Sequence, residues 1–167
     1  MARLVLWIWV WTLAGCSVGG HSQIPDADLR LVTDVRHDGG ILVHEQGWMR
    51  GDCREGGWDV WMLAGSVARR VKYLSYRDGE LNGVCVEWGR EGELVRIYSY
   101  YEGVLHGIDK CFDSTGQVVS RRGYWAGEPH GLWCIRQTEN PDVSDVVEYV
   151  RGKVIAERVM ASQNVLW

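Results

Sequence analysis

The sequence carries no surplus of positive charge: 18 Lys and Arg stand against 22 Asp and Glu, a formal net charge of −4. Nucleic-acid binding depends on clustered cations that neutralise phosphates, so nucleic acid is disfavoured as a partner. The only adjacent basic pairs, Arg69-Arg70 and Arg121-Arg122, fall in strand-like runs, where neighbours point to opposite faces and form no patch. No two cysteines stand at the close Cys-x2–4-Cys spacing of a zinc site, so no cysteine-held metal is expected. The chain has no nucleophile elbow, no His-Glu-x-x-His and no glycine loop that would cradle phosphate ahead of a helix. Its acids, serines and histidines are not arranged for chemistry. No enzyme and no cofactor is expected. After the N-terminal fifteen residues, no apolar run approaches the length needed to span a bilayer.

What the chain does have is a repeat. Gly79-Glu-Leu-Asn-Gly83, Gly103-Val-Leu-His-Gly107 and Gly127-Glu-Pro-His-Gly131 follow one another at a step of 24 residues. The same step carries Trp88 to Phe112, Gly92 to Gly116, and Tyr76 through Tyr100 to Tyr124. One such unit cannot bury its own apolar face and must stack on its copies. Each unit holds two strand-like runs, for example Val84–Trp88 with Leu94–Tyr100, then Ile108–Phe112 with Val118–Trp125. Glycine-bearing turns separate them: 90–92, 113–116 and the Gly-x-x-x-Gly segments. Helical hairpins are excluded, because four glycines per unit break any 3.6-residue periodicity. The expected fold is all-β, an array of repeated β-hairpins.

The pattern frays at both ends. Gly56, Trp61 and Gly65 match Gly83, Trp88 and Gly92 at a step of 27. Further upstream, 29–36 and 41–44 flank a hairpin turn at 38–40. Downstream, Tyr149-Val-Arg-Gly152 repeats Tyr-x-x-Gly at a step of 25, and Ala156 then replaces the second glycine, so the array should stop there. The repeat domain is placed at 29–160, with a short tail over 161–167. The Gly-x-x-x-Gly-x4-aromatic-x3-Gly runs at 79–92 and 103–116, with a weaker copy at 127–131, resemble the MORN-repeat family in its bacterial variant form, known from YwqK-type antitoxin-like proteins. That resemblance implies an elongated, curved, single-layer antiparallel meander of repeated β-hairpins and a protein partner of unspecified kind.

The N-terminus has signal-peptide proportions: Arg3, an apolar run from Leu4 to Leu13, then Leu13-Ala-Gly-Cys16. This ending is similar to a bacterial lipobox, which implies a signal peptide over 1–15, lipid on Cys16, and a flexible polar tether over 16–28. A plain secretory signal is the first alternative, and an uncleaved anchor, disfavoured by the short apolar run, the second. Ser17 in place of Asp favours the outer membrane, if the host has one. The four remaining cysteines, Cys53, Cys85, Cys111 and Cys134, would be read as disulfides by their even count in an exported chain. Geometry objects, because a whole strand separates Cys85 from Cys111 and a bond needs Cα atoms within about 7 Å. Only Cys53 is free to find a partner, which leaves one disulfide or none.

His106 and His130 are equivalent residues one unit apart, which reads as a repeat feature rather than a metal pair; Asn82 breaks their column. His37 and His44 read as polar residues flanking the first hairpin. Trp61, Trp88 and Phe112 hold equivalent positions and are expected to form the core ladder, with Tyr98, Tyr100 and Tyr124 on the intervening strands. Trp58 and Trp133 have the opposite parity and, with Trp125, are the candidate binding surface. The function these features suggest is an envelope lipoprotein that displays a repeat surface for protein interaction or scaffolding. An antitoxin-like binder is the first alternative, and an enzyme with a site assembled from separate repeats the second.

Overall fold

The computed structural model describes residues 28–38, 41–64, 66–165 and 167. The signal segment, Cys16 and the tether up to residue 27 lie outside the described residues. The rest forms one open antiparallel sheet that follows chain order as a meander. Its strands are β1 (Leu29–Asp38), β2 (Ile41–Arg50), β3 (Cys53–Ala64), β4 (Val67–Arg77), β5 (Glu80–Leu81), β6 (Gly83–Trp88) and β7 (Leu94–Tyr101). They continue as β8 (Val104–Leu105), β9 (Gly107–Phe112), β10 (Val118–Trp125), β11 (Glu128–Pro129), β12 (Gly131–Arg136), β13 (Val143–Val150) and β14 (Lys153–Ala161). The strands expected in the central units fall where the repeat places them, and β14 runs through Ala156 to Ala161. The sheet stays open: β1 and β14 are its two edges, and β14 carries Lys153, Glu157 and Arg158, charges that discourage edge-to-edge pairing.

The Gly-x-x-x-Gly segment is not one turn, as the sequence suggested, but three devices in succession. Asp78 and Gly79 form a two-residue hairpin loop with φ of 50° and 87°. Positive φ at both positions defines the type I′ loop, whose twist matches that of the strands it joins. Glu80 and Leu81 then pair back on Arg77 and Tyr76. Next comes a wide bulge. Between the pairs Tyr76↔Leu81 and Tyr73↔Val86, two residues of β4 face four residues of the returning chain, and Gly83 sits there at φ 103°. The same sequence of loop, short strand and bulge recurs at 102–107 and 126–131.

The register assigns the two faces, and here the expectation is corrected. Cys85 pairs with Tyr98, Gly83 with Tyr100, and Gly107 with Tyr124. These residues share a face with Trp58, Trp133, Tyr76 and Tyr149; Trp61, Trp88, Phe112 and Trp125 lie on the other. The tyrosines therefore do not extend the ladder of Trp61, Trp88 and Phe112. The better-buried side is the tyrosine face, where Trp58 is 2% exposed and Cys85 0%, with Tyr98, Val43 and Val60 also buried. Trp61, Trp88 and Phe112 are only half-buried. Parity along each strand was readable; the extra residue Val95, left between the pairs Glu87↔Arg96 and Trp88↔Leu94, which fixes how the hairpin arms align, was not.

Trp58 is buried because it lies across Gly47 in the adjacent strand, where any Cβ would overlap its ring. Its indole N–H donates to the Trp48 carbonyl at 3.0 Å, and the Arg54 guanidinium stacks 4.1 Å over the ring. Arg54 in turn bonds Glu45 at 2.7 Å, so the buried carboxylate is paired. Trp58 is thus part of the core, not of a binding surface.

Candidate functional site

The hairpin tips build the most unusual surface of the molecule. Four tips follow one another at 77–80, 101–104, 125–128 and 150–153. In each, the residue before the loop glycine adopts positive φ without being glycine: Asp78, Glu102, Ala126 and Arg151, all at 48–50°. The loop glycine N–H donates backward to the preceding unit. Gly79 reaches the Arg54 carbonyl at 3.0 Å, Gly103 that of Leu81 at 2.9 Å, and Gly127 and Gly152 those of Leu105 and Pro129 at 2.8 Å. The tips are therefore tied unit to unit by the main chain, independently of side-chain identity.

Side chains add a second tie. The Asp78 N–H donates to Glu55 at 3.0 Å, the Ala126 N–H to His106 Nδ1 at 3.4 Å, and the Arg151 N–H to His130 Nδ1 at 3.5 Å. An imidazole that accepts at Nδ1 carries its proton on Nε2. This places both histidines as structural links between repeats. They do not face each other: the Trp125 ring stands against both, with centroids 4.5 Å from His106 and 6.3 Å from His130. Among the described residues, no group of three or more His, Cys, Asp or Glu is placed to hold a metal ion.

Tyr101 extends this row, 5.9 Å from His106. The result is a ladder of four rings, Tyr101, His106, Trp125 and His130, along the tips on the face opposite the tyrosines. Trp125 is 57% exposed and Tyr101 54%. Exposed Val84, Val104 and Ile108 lie beside them, so the patch is apolar in its body. The Trp125 indole N–H and the Tyr101 hydroxyl have no hydrogen-bond partner among the described residues. Rings with an apolar plate and a polar rim that is free to bond are what protein interfaces favour.

Of the three tryptophans expected to form a binding surface, only Trp125 is displayed. Trp133 is half-buried on the tyrosine face between Tyr124 and Tyr149, at 5.2 and 4.8 Å, and its N–H donates to the Gly123 carbonyl at 2.8 Å. Tyr101 and the part played by His106 were missed. Their signal was present, because Arg77, Tyr101, Trp125 and Val150 form one repeat column at the loop's entrance.

The sequence reading also missed the ionic group that braces the tyrosine face. Asp109, 1% exposed, occupies the column of Trp58, Cys85 and Trp133, and Arg96 grips both of its oxygens at 2.8 and 3.0 Å. The hydrogen bond from Arg96 to Asp109 holds the guanidinium proton more firmly than usual. Arg96 also stacks 4.4 Å over Tyr98, whose hydroxyl donates to Glu87 at 3.0 Å. Burial, with the Glu87 charge beside it, pushes the Tyr98 hydroxyl well above its ordinary pKa. Burial likewise raises the thiols of Cys85 and Cys134. All four described cysteines are free thiols, with Cys53 exposed.

Neither a scan against protein-family models nor a search of curated proteins found a match to this chain.

Proposed function

We propose that the protein is a non-catalytic interaction module of a bacterial cell envelope, held at the membrane by lipid on Cys16 and binding a protein partner through its hairpin-tip ladder. The observation that carries the reading is the exposure of Trp125 and Tyr101 on a row the main chain fixes in place. Rigid aromatic anchors lose little conformational entropy on binding, which is why Trp and Tyr dominate interface energetics. The repeat plan resembles MORN-variant proteins, and the Leu-Ala-Gly-Cys16 ending supports the envelope address. A pull-down from detergent-solubilised envelopes tests both halves. The wild-type chain should retain a partner that Trp125→Ala and Tyr101→Ala lose, and Cys16→Ser should abolish palmitate labelling. Equal capture by wild type and Trp125→Ala would remove the ladder from the reading, and unchanged labelling of Cys16→Ser would remove the anchor.

A further inference from the structure

A cavity of about 310 Å³ opens on the tyrosine face, at the strand ends farthest from the tips, between β2, β3, β4 and the loop after β6. Its walls are Ile41, Met62, Val67 and Val71; Val71 belongs to the buried cluster with Val43 and Val60, Met62 packs against that cluster, and Val67 is half exposed. Its rim is charged, with Arg69, Arg90 and Glu91. Arg69 is already committed: it donates to the Glu91 carbonyl at 3.0 Å and lies 3.6 Å from the Glu91 carboxylate. That contact pins the loop over the cavity. Arg90 has no hydrogen-bond or ion-pair partner among the described residues. The rim therefore offers one uncompensated guanidinium above an apolar chamber.

The volume lies at the lower end of small-molecule sites, and an apolar lining with one placed charge is their usual composition. A guanidinium selects a carboxylate, which it can bind through two parallel hydrogen bonds. An apolar chamber of this size has room for a single alkyl chain. We propose that the cavity is a binding site for a free fatty acid, with its chain among Ile41, Met62, Val67 and Val71 and its carboxylate on Arg90. The site is on the other face and at the other end of the strands from Trp125, so it is independent of the protein-binding ladder.

Three methionines provide the test, because of Met49, Met62 and Met160 only Met62 lines the cavity. In methyl-carbon NMR of the full-length chain, decanoate should shift the Met62 signal saturably and leave Met49 and Met160 in place. Decanol and decylammonium should require roughly tenfold higher concentration. Arg90→Glu should weaken decanoate by roughly tenfold and leave decanol unchanged, while its unshifted Met49 and Met160 signals report an intact fold. Trp125→Ala should titrate like wild type. A Met62 signal unmoved by decanoate, a joint shift of all three methyls, equal response to decanol and decanoate, or an Arg90→Glu titration equal to wild type would each overturn the assignment.

Discussion

The two faces of this sheet are made from the same strands and solve the burial problem differently. On the tyrosine face, side chains from successive strands cover one another: Trp58 under Arg54, Tyr98 under Arg96, and Trp133 between two tyrosines. The two buried carboxylates there, Glu45 and Asp109, are each paired with an arginine. On the opposite face, Arg70 lies over Trp88 and Arg136 over Trp167, and the rings beneath are less buried than Trp58. This face is buried at Cys134, Ser144 and Val146, in the region where the C-terminal segment folds back. Ser162 bonds Ser144 at 2.7 Å, and Trp167 sits under Arg136, the partner of Ser144 in the ladder. Elsewhere it leaves Val84, Ile108, Tyr101 and Trp125 in solvent. A single-layer sheet has one core face at most; its second face is available for display.

The largest effect should come from breaking the tyrosine face at its best-buried ring. Trp58→Ala should cost about 3–5 kcal/mol, because the ring fills the space over Gly47 and no neighbour can follow it. Trp88→Ala, half-buried on the opposite face with Arg70 4.4 Å over its ring, should cost only about 1–2 kcal/mol. Urea unfolding of the chain from Asp28 onward would rank them, and the reverse order would exchange the two faces. Asp109→Ala should follow at about 3 kcal/mol, since it leaves the Arg96 guanidinium among buried neighbours without its carboxylate. A midpoint equal to that of wild type would mean that the ion pair contributes nothing to the brace.

Gly107→Val tests the bulge that both faces share. Its backbone φ of 94° is hostile to a β-branched residue, and a Cβ there would meet Ser99 Oγ at 2.6 Å. A loss of roughly 1–3 kcal/mol is expected in the same unfolding assay. A variant as stable as wild type would show that the bulge relaxes without cost.

Much of this was legible in the sequence, for a physical reason. Glycine columns at 79, 103 and 127 and at 83, 107 and 131 mark backbone that needs positive φ, and all six have it. Strand limits followed, because turn chemistry is local. What the sequence did not disclose depends on register. The extra residue Val95, opposite Glu87 and Trp88, and the bulge at 82–83 decide which columns share a face, and neither alters composition. Hence Trp58 was placed on the surface and Trp88 in the core. Tyr101 went unrecognised, and the ring contacts of His106 were not foreseen, because both depend on the stacking of one tip on the next. Asp109 could have been found, as the single charge in a column otherwise filled by Trp58, Cys85 and Trp133.

The smallest stability effect should belong to the most exposed ring of the ladder, and it tests the division between the faces most directly. Trp125 lies on the display side, largely exposed, with its ring against His106 and His130. Its replacement by alanine should shift unfolding by no more than about 0.5 kcal/mol. Measured beside Trp58→Ala in urea, Trp125→Ala should unfold at the wild-type midpoint while Trp58→Ala falls far below it. Equal losses in the two variants would contradict the account, because both faces would then be core.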